Sequence, residues 1–262
     1  MYSIERRTEI ERILYENGSV SVSVLAQELS SSKETIRRDL CELESLGILK
    51  RTHGGAIPLT ERNNTTPVAS ETPVTVRTIQ NVTEKQRICR AAAKHIQDGD
   101  TIFIDNSTTC IGLYQYIPDD IQITFLTNSI AFLLECSKKP NPRHTFICLG
   151  GIFKHSNLSI YGNTTIKNAS QYYPNKAFIS CCGISPDQQI TDSGIQEIDV
   201  KRALCKSSQK VYLLADYTKI ENTGQVYLCD YNEIDTLITD DFSELSKLQY
   251  LIRSGIEIEV AK

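Results

Sequence analysis

Ser31-Ser32-Lys33-Glu34-Thr35-Ile36-Arg37-Arg38-Asp39-Leu40 opens a helix, and the residues on either side decide what kind of domain that helix serves. Ile36, Leu40 and Leu43 recur at spacings of four and three, so one face turns inward. Ser31-Ser32-Lys33-Glu34 has the S-x-x-E form of a capping box, which supplies partners for the first free N–H groups. Gly47 ends the helix. Upstream, Ile10, Ile13 and Leu14 give a first helix its apolar face, with a stop at Asn17-Gly18. Leu25, Ala26 and Leu29 mark a short second helix. Downstream, Leu49-Lys50-Arg51-Thr52-His53-Gly54-Gly55-Ala56-Ile57 sets a Gly-Gly turn between two short strand candidates. Three helices and a two-stranded wing describe a winged helix-turn-helix over residues 1–58.

With the apolar residues turned inward, Lys33, Thr35, Arg37 and Arg38 face solvent near the N-terminus of the third helix. That end also carries free backbone N–H groups and the positive pole of the helix dipole, both suited to phosphate. A recognition helix in a major groove uses this end, its Ser, Thr, Lys and Arg side chains reaching base edges and phosphates. The competing reading is a solvated amphipathic helix supported by Glu34–Arg38 and Arg38–Glu42 pairs. The short preceding helix, the cap and a wing carrying Arg51 and His53 favour DNA. The candidate DNA contacts are Ser31, Ser32, Lys33, Thr35, Arg37, Arg38, Arg51 and His53.

The chain has 262 residues, enough for two medium domains, and its 28 Lys and Arg against 32 Asp and Glu give a net charge of −4. That balance argues weakly against a chain coated in basic surface and leaves room for a local basic face. Pro58 to Pro67 and the Ser, Thr and Pro positions after it lack helical periodicity, which marks residues 59–80 as a linker. Over residues 81–262, strand candidates at 101–105, 121–126, 145–149, 177–181, 211–215, 236–239 and 257–260 alternate with helix candidates at 84–96, 130–136, 196–206 and 242–253. This rhythm predicts an α/β domain, its mostly parallel sheet covered on both faces. Ligand sites in such sheets lie at the carboxyl ends of the strands, near a switch in strand order.

Polar motifs follow the strands. Asp105, Ser107, Thr108 and Thr109 form a strand-to-helix turn whose hydroxyls and amides suit a phosphate. Thr127, Asn128 and Ser129 end the next strand, and Gly150 and Gly151 end another, where a backbone can come close to a ligand. Each motif alone also reads as a helix cap or a turn. Their repetition after successive strands points to one polar site. Glu197 and Lys201 are four apart and share a helix face, either as an exposed ion pair or as ligand contacts. Asp216 either orients a ligand or caps a turn.

Val20-Ser21-Val22-Ser23-Val24-Leu25-Ala26, Glu34-Thr35-Ile36-Arg37-Arg38-Asp39-Leu40, Leu43-Glu44-x-x-Gly47 and Arg51-x-His53-Gly54-Gly55-Ala56 together resemble the N-terminal signature of the DeoR family of bacterial transcriptional regulators. The resemblance resumes at Asn81-x-x-Glu84-Lys85 and continues through the polar motifs, Glu197-x-x-Val200-Lys201-Arg202-Ala203, Leu214-Ala215-Asp216 and residues 234–240. It implies a sensor domain similar to the ribose-5-phosphate isomerase-like fold, a phosphorylated sugar as effector, operator DNA as partner, repression of a carbohydrate operon and a homodimer or homotetramer. It also favours Lys201 as an effector contact. One departure stands out: many family members read Gly-Ala-Asp-Gly where this chain has Ser180-Cys181-Cys182-Gly183, so a thiol replaces an acid at Cys182.

A sugar-phosphate isomerase or deaminase with an added DNA-binding domain is the alternative reading, weakened by the missing acid and the lack of a second acid/base partner. A purely architectural DNA-binding protein would not need the polar strand ends. The nine cysteines are odd in number and contain no C-x-x-C pair, so neither a disulfide framework nor a zinc site is expected, and no cofactor. The N-terminus, Met-Tyr-Ser-Ile-Glu-Arg-Arg, lacks an apolar segment, so the expected compartment is the cytoplasm.

Overall fold

The computed structural model describes residues 3–45, 48–58, 74–187, 189–240 and 249–262. They fall into two compact units, Met1–Gln80 and Asn81–Lys262.

In the first unit, α1 (Ser3–Asn17) leads through β1 (Val20–Ser21) to α2 (Val22–Glu28) and α3 (Lys33–Ser45), followed by β2 (Leu49–Thr52), β3 (Gly55–Pro58) and α4 (Val74–Ile79). Ile10 and Leu14 of α1, Leu25 of α2 and Ile36, Leu40 and Leu43 of α3 meet in one core, all at most 1% exposed. Gly18 takes φ +70 after α1, a conformation that favours glycine. Two details differ from the sequence expectation. The cap of α3 is Ser32, whose Oγ accepts from Thr35 N at 3.1 Å, and not the Ser31–Glu34 box. Ser31 instead donates to Leu29 O. The wing also gains a third strand, because β1 pairs antiparallel with β3, placing Val20 opposite Ala56 and Ser21 opposite Gly55.

The helix α4 lies within the stretch read as a linker. Its sequence, Val-Thr-Val-Arg-Thr-Ile, is rich in β-branched residues and has low intrinsic helix propensity, so nothing local announced it. Contact with α1 supplies the support instead. Residues 59–73 of that stretch lie outside the described residues.

The second unit runs α5 (Val82–Ala93), β4 (Thr101–Ile104), α6 (Thr108–Ile111), β5 (Ile123–Thr127), α7 (Ile130–Ser137), β6 (His144–Cys148), β7 (Ile152–Lys154), β8 (Ser159–Tyr161), α8 (Asn163–Ala169), β9 (Lys176–Ile179), β10 (Gly183–Ser185), β11 (Gln189–Asp192), α9 (Ile198–Ser207), β12 (Lys210–Leu214), β13 (Val226–Asp230), β14 (Thr236–Asp240), α10 (Gln249–Arg253) and β15 (Glu257–Ala261). Seven strands form a parallel sheet in the order β15-β14-β12-β9-β4-β5-β6. These are the seven strands expected from the sequence. The inner ones are readable because both their faces are buried. Along β4, Phe103 joins one core layer, with Ala169 of α8, Leu204 of α9 and Leu251 of α10. Its neighbours Ile102 and Ile104 join the other, with Ile88 of α5 and Phe132 of α7. Of the expected helix at 242–253, residues 242–248 lie outside the described residues.

The strand order reverses between β4 and β9, which are adjacent in the sheet although four strands separate them in the chain. Their carboxyl ends mark the position where doubly wound folds place ligands. A small antiparallel sheet, β10-β11-β13, and the hairpin β7-β8 add to the parallel frame, and the sequence pattern did not announce them.

At Gly55, an added Cβ would lie 1.9 Å from Val20 O. Gly55→Ala is therefore expected to push β1 off β3 and destabilise the first unit by about 1–3 kcal/mol. Urea unfolding followed by far-UV circular dichroism checks this; an unmoved midpoint would show that the β1–β3 contact contributes nothing.

Candidate functional site

The recognition surface is built by fixing one side of α3 and leaving the other open. Asp39 is 4% exposed and takes Arg6 Nε at 2.6 Å, with Arg7 Nε at 3.7 Å, so a buried ion pair ties α3 to α1. Arg7 also reaches Glu42. The open side carries Lys33, Arg37 and Arg38, all exposed, with Ser32 exposed and Ser31 and Thr35 half-buried at its start. The ion pairs that form are Arg37–Glu34 at 3.2 Å and Arg7–Glu42, rather than those expected for Arg38. Arg38 makes no ion pair among the described residues. Arg51 of β2 meets α3: its guanidinium lies 2.6 Å from Cys41 Sγ and its backbone N–H donates to Glu44 at 2.8 Å. Cys41 follows Arg37 by four positions and Arg38 by three, so Arg51 extends their row on one helix face. His53 is exposed at the wing turn beside Gly54.

At the strand-order switch, three polar clusters gather. The first centres on Lys201 of α9, whose side chain is 7% exposed. Its ammonium donates to Asp192 Oδ2 at 2.5 Å and Ser180 O at 2.8 Å and lies 2.9 Å from Asp105 Oδ2. Asp105, 1% exposed, also accepts from Ser107 N at 3.0 Å and Ser180 N at 2.9 Å. Burial opposes the charge on Lys201, but the two carboxylates outweigh it and hold the ammonium well above the ordinary lysine range. Burial likewise opposes ionisation of Asp192, and the Lys201 charge prevails, keeping that carboxyl below its usual range. Cys182 donates to Asp192 Oδ1 at 3.3 Å and lies 3.3 Å from Ser193 Oγ. Burial, then the Asp192 charge, push the thiol upward, so it stays a neutral donor. The carboxylate beside position 182 thus comes from Asp192.

The second cluster centres on Glu197, 4% exposed. It accepts from Asn106 at 2.9 Å, Lys154 and Asn157 at 3.0 Å each, and Ser159. Glu197 and Lys201 are therefore both buried and have separate partners; neither forms the exposed pair that spacing alone allowed. The third cluster follows β5. Thr127 Oγ1 donates to Ile104 O at 2.8 Å and accepts from Ser129 N, while Ser129 Oγ caps α7 through Phe132 N. Asn128 donates to Ile160 O at 3.1 Å, and its buried Oδ1 finds no partner among the described residues.

Gly150 and Gly151 have φ +66 and +131; a Cβ on Gly151 would lie 2.0 Å from Thr165 Oγ1, so the turn requires glycine there. Ser107 caps α6 through Cys110 N, and Thr109 is buried with its carbonyl accepting from Cys89. Thr108 accepts from Lys85 Nζ at 3.1 Å. Asp216 lies apart, beyond β9, with Asn81 and Thr218 as partners. Among the described residues, no group of His, Cys, Asp or Glu could hold a metal ion, and no helix is long and apolar enough to cross a membrane.

A family model described as the DeoR C terminal sensor domain matches residues 80–241, and another, described as a DeoR-like helix-turn-helix domain, matches residues 6–62. The chain belongs to the DeoR family. It is 34% identical over 240 residues to the uncharacterized HTH-type transcriptional regulator YulB of Bacillus subtilis, covering 92% of this chain and 90% of that one. The HTH-type transcriptional repressor GlcR of the same organism is 31% identical, over 100% of this chain and 98% of the other. The glycerol-3-phosphate regulon repressor of Escherichia coli is 28% identical over 99% and 100%. Ribose 5-phosphate isomerase A from Methanocaldococcus jannaschii aligns with a TM-score of 0.40 at 12% identity, over 53% of this chain and 54% of its own.

Within this DeoR-family chain, sequence reasoning missed Asp192, Asn106, Lys154, Asn157, Ser159 and Lys85 as neighbours of the strand-end residues. Lys85 had a usable signal, since Asn81-x-x-Glu84-Lys85 was already part of the resemblance. Asp192 had none, because only the β10–β11 pairing brings it to Lys201.

Lys201→Met would leave Asp105 and Asp192 buried without their cation, an expected loss of about 3–5 kcal/mol near neutral pH. Asp192, lowered in the fold, contributes stability above the carboxylate range and loses it as pH falls through its folded value. Lys201, raised in the fold, contributes below the lysine range and loses it as pH rises through its folded value. Without the cation, burial raises the Asp192 carboxyl of the variant, so its deficit should be largest near about pH 8 and shrink steadily as pH falls to about 4. Urea titrations across that range check it; a deficit unchanged in acid would contradict the assigned pairing.

Proposed function

We infer that this protein is a repressor of a carbohydrate uptake or catabolic operon, its first unit reading operator DNA and its second binding a phosphorylated sugar. The basic row Arg37, Arg38 and Arg51 supports the DNA part, since bidentate arginine contacts read guanine and fix phosphates. Relatives named as repressors, GlcR and the glycerol-3-phosphate regulon repressor, support the direction of control.

The observation that carries the effector reading is the Lys85–Thr108 contact at the Asp105–Thr109 turn. It sets a cation beside the hydroxyls of a strand-to-helix turn, the chemistry a phosphate needs. Lys85 approaches from α5 and Lys201 from α9, so the two lysines come from opposite layers of the sheet. In this reading Lys85 meets the phosphate. Lys201, with three acceptors around its ammonium, holds Asp105 and Asp192 for sugar hydroxyls rather than meeting the phosphate itself. The same engagement favours binding over turnover, because a proton-transferring base needs an accessible, suitably poised group. Dimerisation fits the DNA part: one short helix reads few bases, and two half-sites multiply specificity.

Fluorescence anisotropy with labelled DNA from upstream of the gene tests the reading. Arg37→Ala and Arg38→Ala should each weaken specific binding by about 1–3 kcal/mol and leave ligand-induced thermal stabilisation intact. Lys85→Ala should do the reverse, abolishing the upward shift in Tm with a panel of pentose and hexose phosphates. Equal affinity for scrambled DNA would defeat the regulator reading. Conversion of any panel member, followed by NMR and abolished by Lys201→Ala, would establish an enzyme instead.

A further inference from the structure

The two edges of the seven-stranded sheet are treated differently. The β15 edge, Glu257-Ile258-Glu259-Val260-Ala261, carries two carboxylates, and Glu259 is paired to His95 at 2.5 Å. Charges of this kind discourage a second strand from docking. The β6 edge reads His144-Thr145-Phe146-Ile147-Cys148, with no acidic residue, no lysine and no arginine. Phe146 and Ile147 are both only half-buried, one on each face of the sheet, and Thr145 and Cys148 are exposed.

The surroundings of β6 are also apolar. Phe146 stacks on Phe125, with centroids 5.0 Å apart and planes 8° apart, and beyond it a groove opens between α7 and the strand. Leu133, Cys136, Pro140 and Pro142 line that groove. Leu134, the next residue of α7, is 55% exposed. Exposed apolar surface contiguous with an unblunted strand edge marks a contact surface.

The backbone is set for pairing as well. Leu149 N donates to Thr127 O at 3.0 Å. Because ladder bonds alternate along a strand, the Thr145 and Ile147 groups also face β5, and those of Phe146 and Cys148 turn outward. Among the described residues no strand takes them.

We propose that β6 is the dimer interface of this protein, pairing antiparallel with β6 of a second copy about a two-fold axis at Phe146. That register sets Phe146 opposite itself and Cys148 opposite His144 of the second copy, so no like charges meet. The same operation on β15 would set Glu259 against Glu259, which is why the occupant belongs on β6 and is a copy of this chain. The two sheets would join into one, and the groove beside α7 would be covered from the partner.

Sedimentation equilibrium of the full chain tests this with two variants. Cys148→Pro removes an outward N–H that β5 does not use, so the monomer tolerates it while the pairing cannot. Thr145→Lys puts a charge on an exposed position at the same edge and leaves the backbone intact. A dimer is expected for the parent at micromolar concentration, and each variant should weaken it by about 100-fold with an unchanged circular-dichroism spectrum. If Cys148→Pro does not fold, Thr145→Lys decides. A monomeric parent, as when other residues of this chain cover the edge, would overturn the proposal. So would a dimer of unchanged affinity in a folded variant, which would place the interface on another face.

Discussion

The ammonium of Lys201 is the constraint on which the second unit's polar end depends. It has three hydrogens and three acceptors, each from a different element: Asp105 after β4, Ser180 after β9 and Asp192 at the end of β11. Burying each of these ions costs several kcal/mol, and the mutual attraction offsets that only when geometry and hydrogen bonding are complete. Here they are complete around the cation. Ser180 is engaged twice, its carbonyl by Lys201 and its N–H by Asp105, so the ends of the two strands at the switch point are clasped by one residue pair. The small antiparallel sheet is held to the parallel frame by the same cation through Asp192. Charges that add little net stability thereby fix where the carboxylates point.

Which parts were legible in the sequence follows from burial. The inner parallel strands are largely apolar on both sides, and runs such as Thr101–Ile104 or Lys210–Leu214 announce themselves without a partner in view. The strands β7, β8 and β10 are three residues long, too short for a pattern, and their neighbours are glycines and polar residues that read as turns. The partners they carry, Lys154, Ser159 and, from β11, Asp192, were hidden with them. The polar strand-end residues were legible as candidates because a polar residue after an apolar run is conspicuous. Their partners were not, since Glu197 meets Ser159 and Asn106 only through the fold. Spacing alone made Glu197 and Lys201 look like one exposed pair; burial separates them into two networks.

The same logic resolves the charge on the first unit. Between residues 33 and 53, Lys33, Arg37, Arg38, Lys50 and Arg51 face Glu34, Asp39, Glu42 and Glu44, a nearly even count. Each of the four acids is engaged: Glu34 by Arg37, Asp39 by Arg6 and Arg7, Glu42 by Arg7, and Glu44 by Arg51. Two of those arginines come from α1, so Asp39 and Glu42 are neutralised without spending the basic side. Lys33, Arg38 and Lys50 are left exposed without an ion pair among the described residues. A chain of net charge −4 can therefore present positive potential over a small area, which limits non-specific attachment while preserving local contact with phosphate.

Strand β6 connects the remaining pieces. Its outer edge offers the unpaired backbone, and its carboxyl end runs through Leu149 into the Gly150-Gly151 turn, where Thr165 and Asn168 of α8 hold the carbonyls at 2.7 Å. On its inner side it pairs with β5, which ends at Thr127 and the half-satisfied Asn128. A ligand that supplies a donor to Asn128 Oδ1 would complete the hydrogen bonding at the end of β5, the strand next to β6. Ligands shift an equilibrium only by binding its two states unequally, and an acceptor still lacking its donor is a group whose energy differs between them. Lys201, already saturated, has little left to gain. Among the described residues the buried polar atoms with a hydrogen bond still to gain are Asn128 Oδ1, Asp216 Oδ2 and Thr239 Oγ1, all outside the saturated Lys201 cluster.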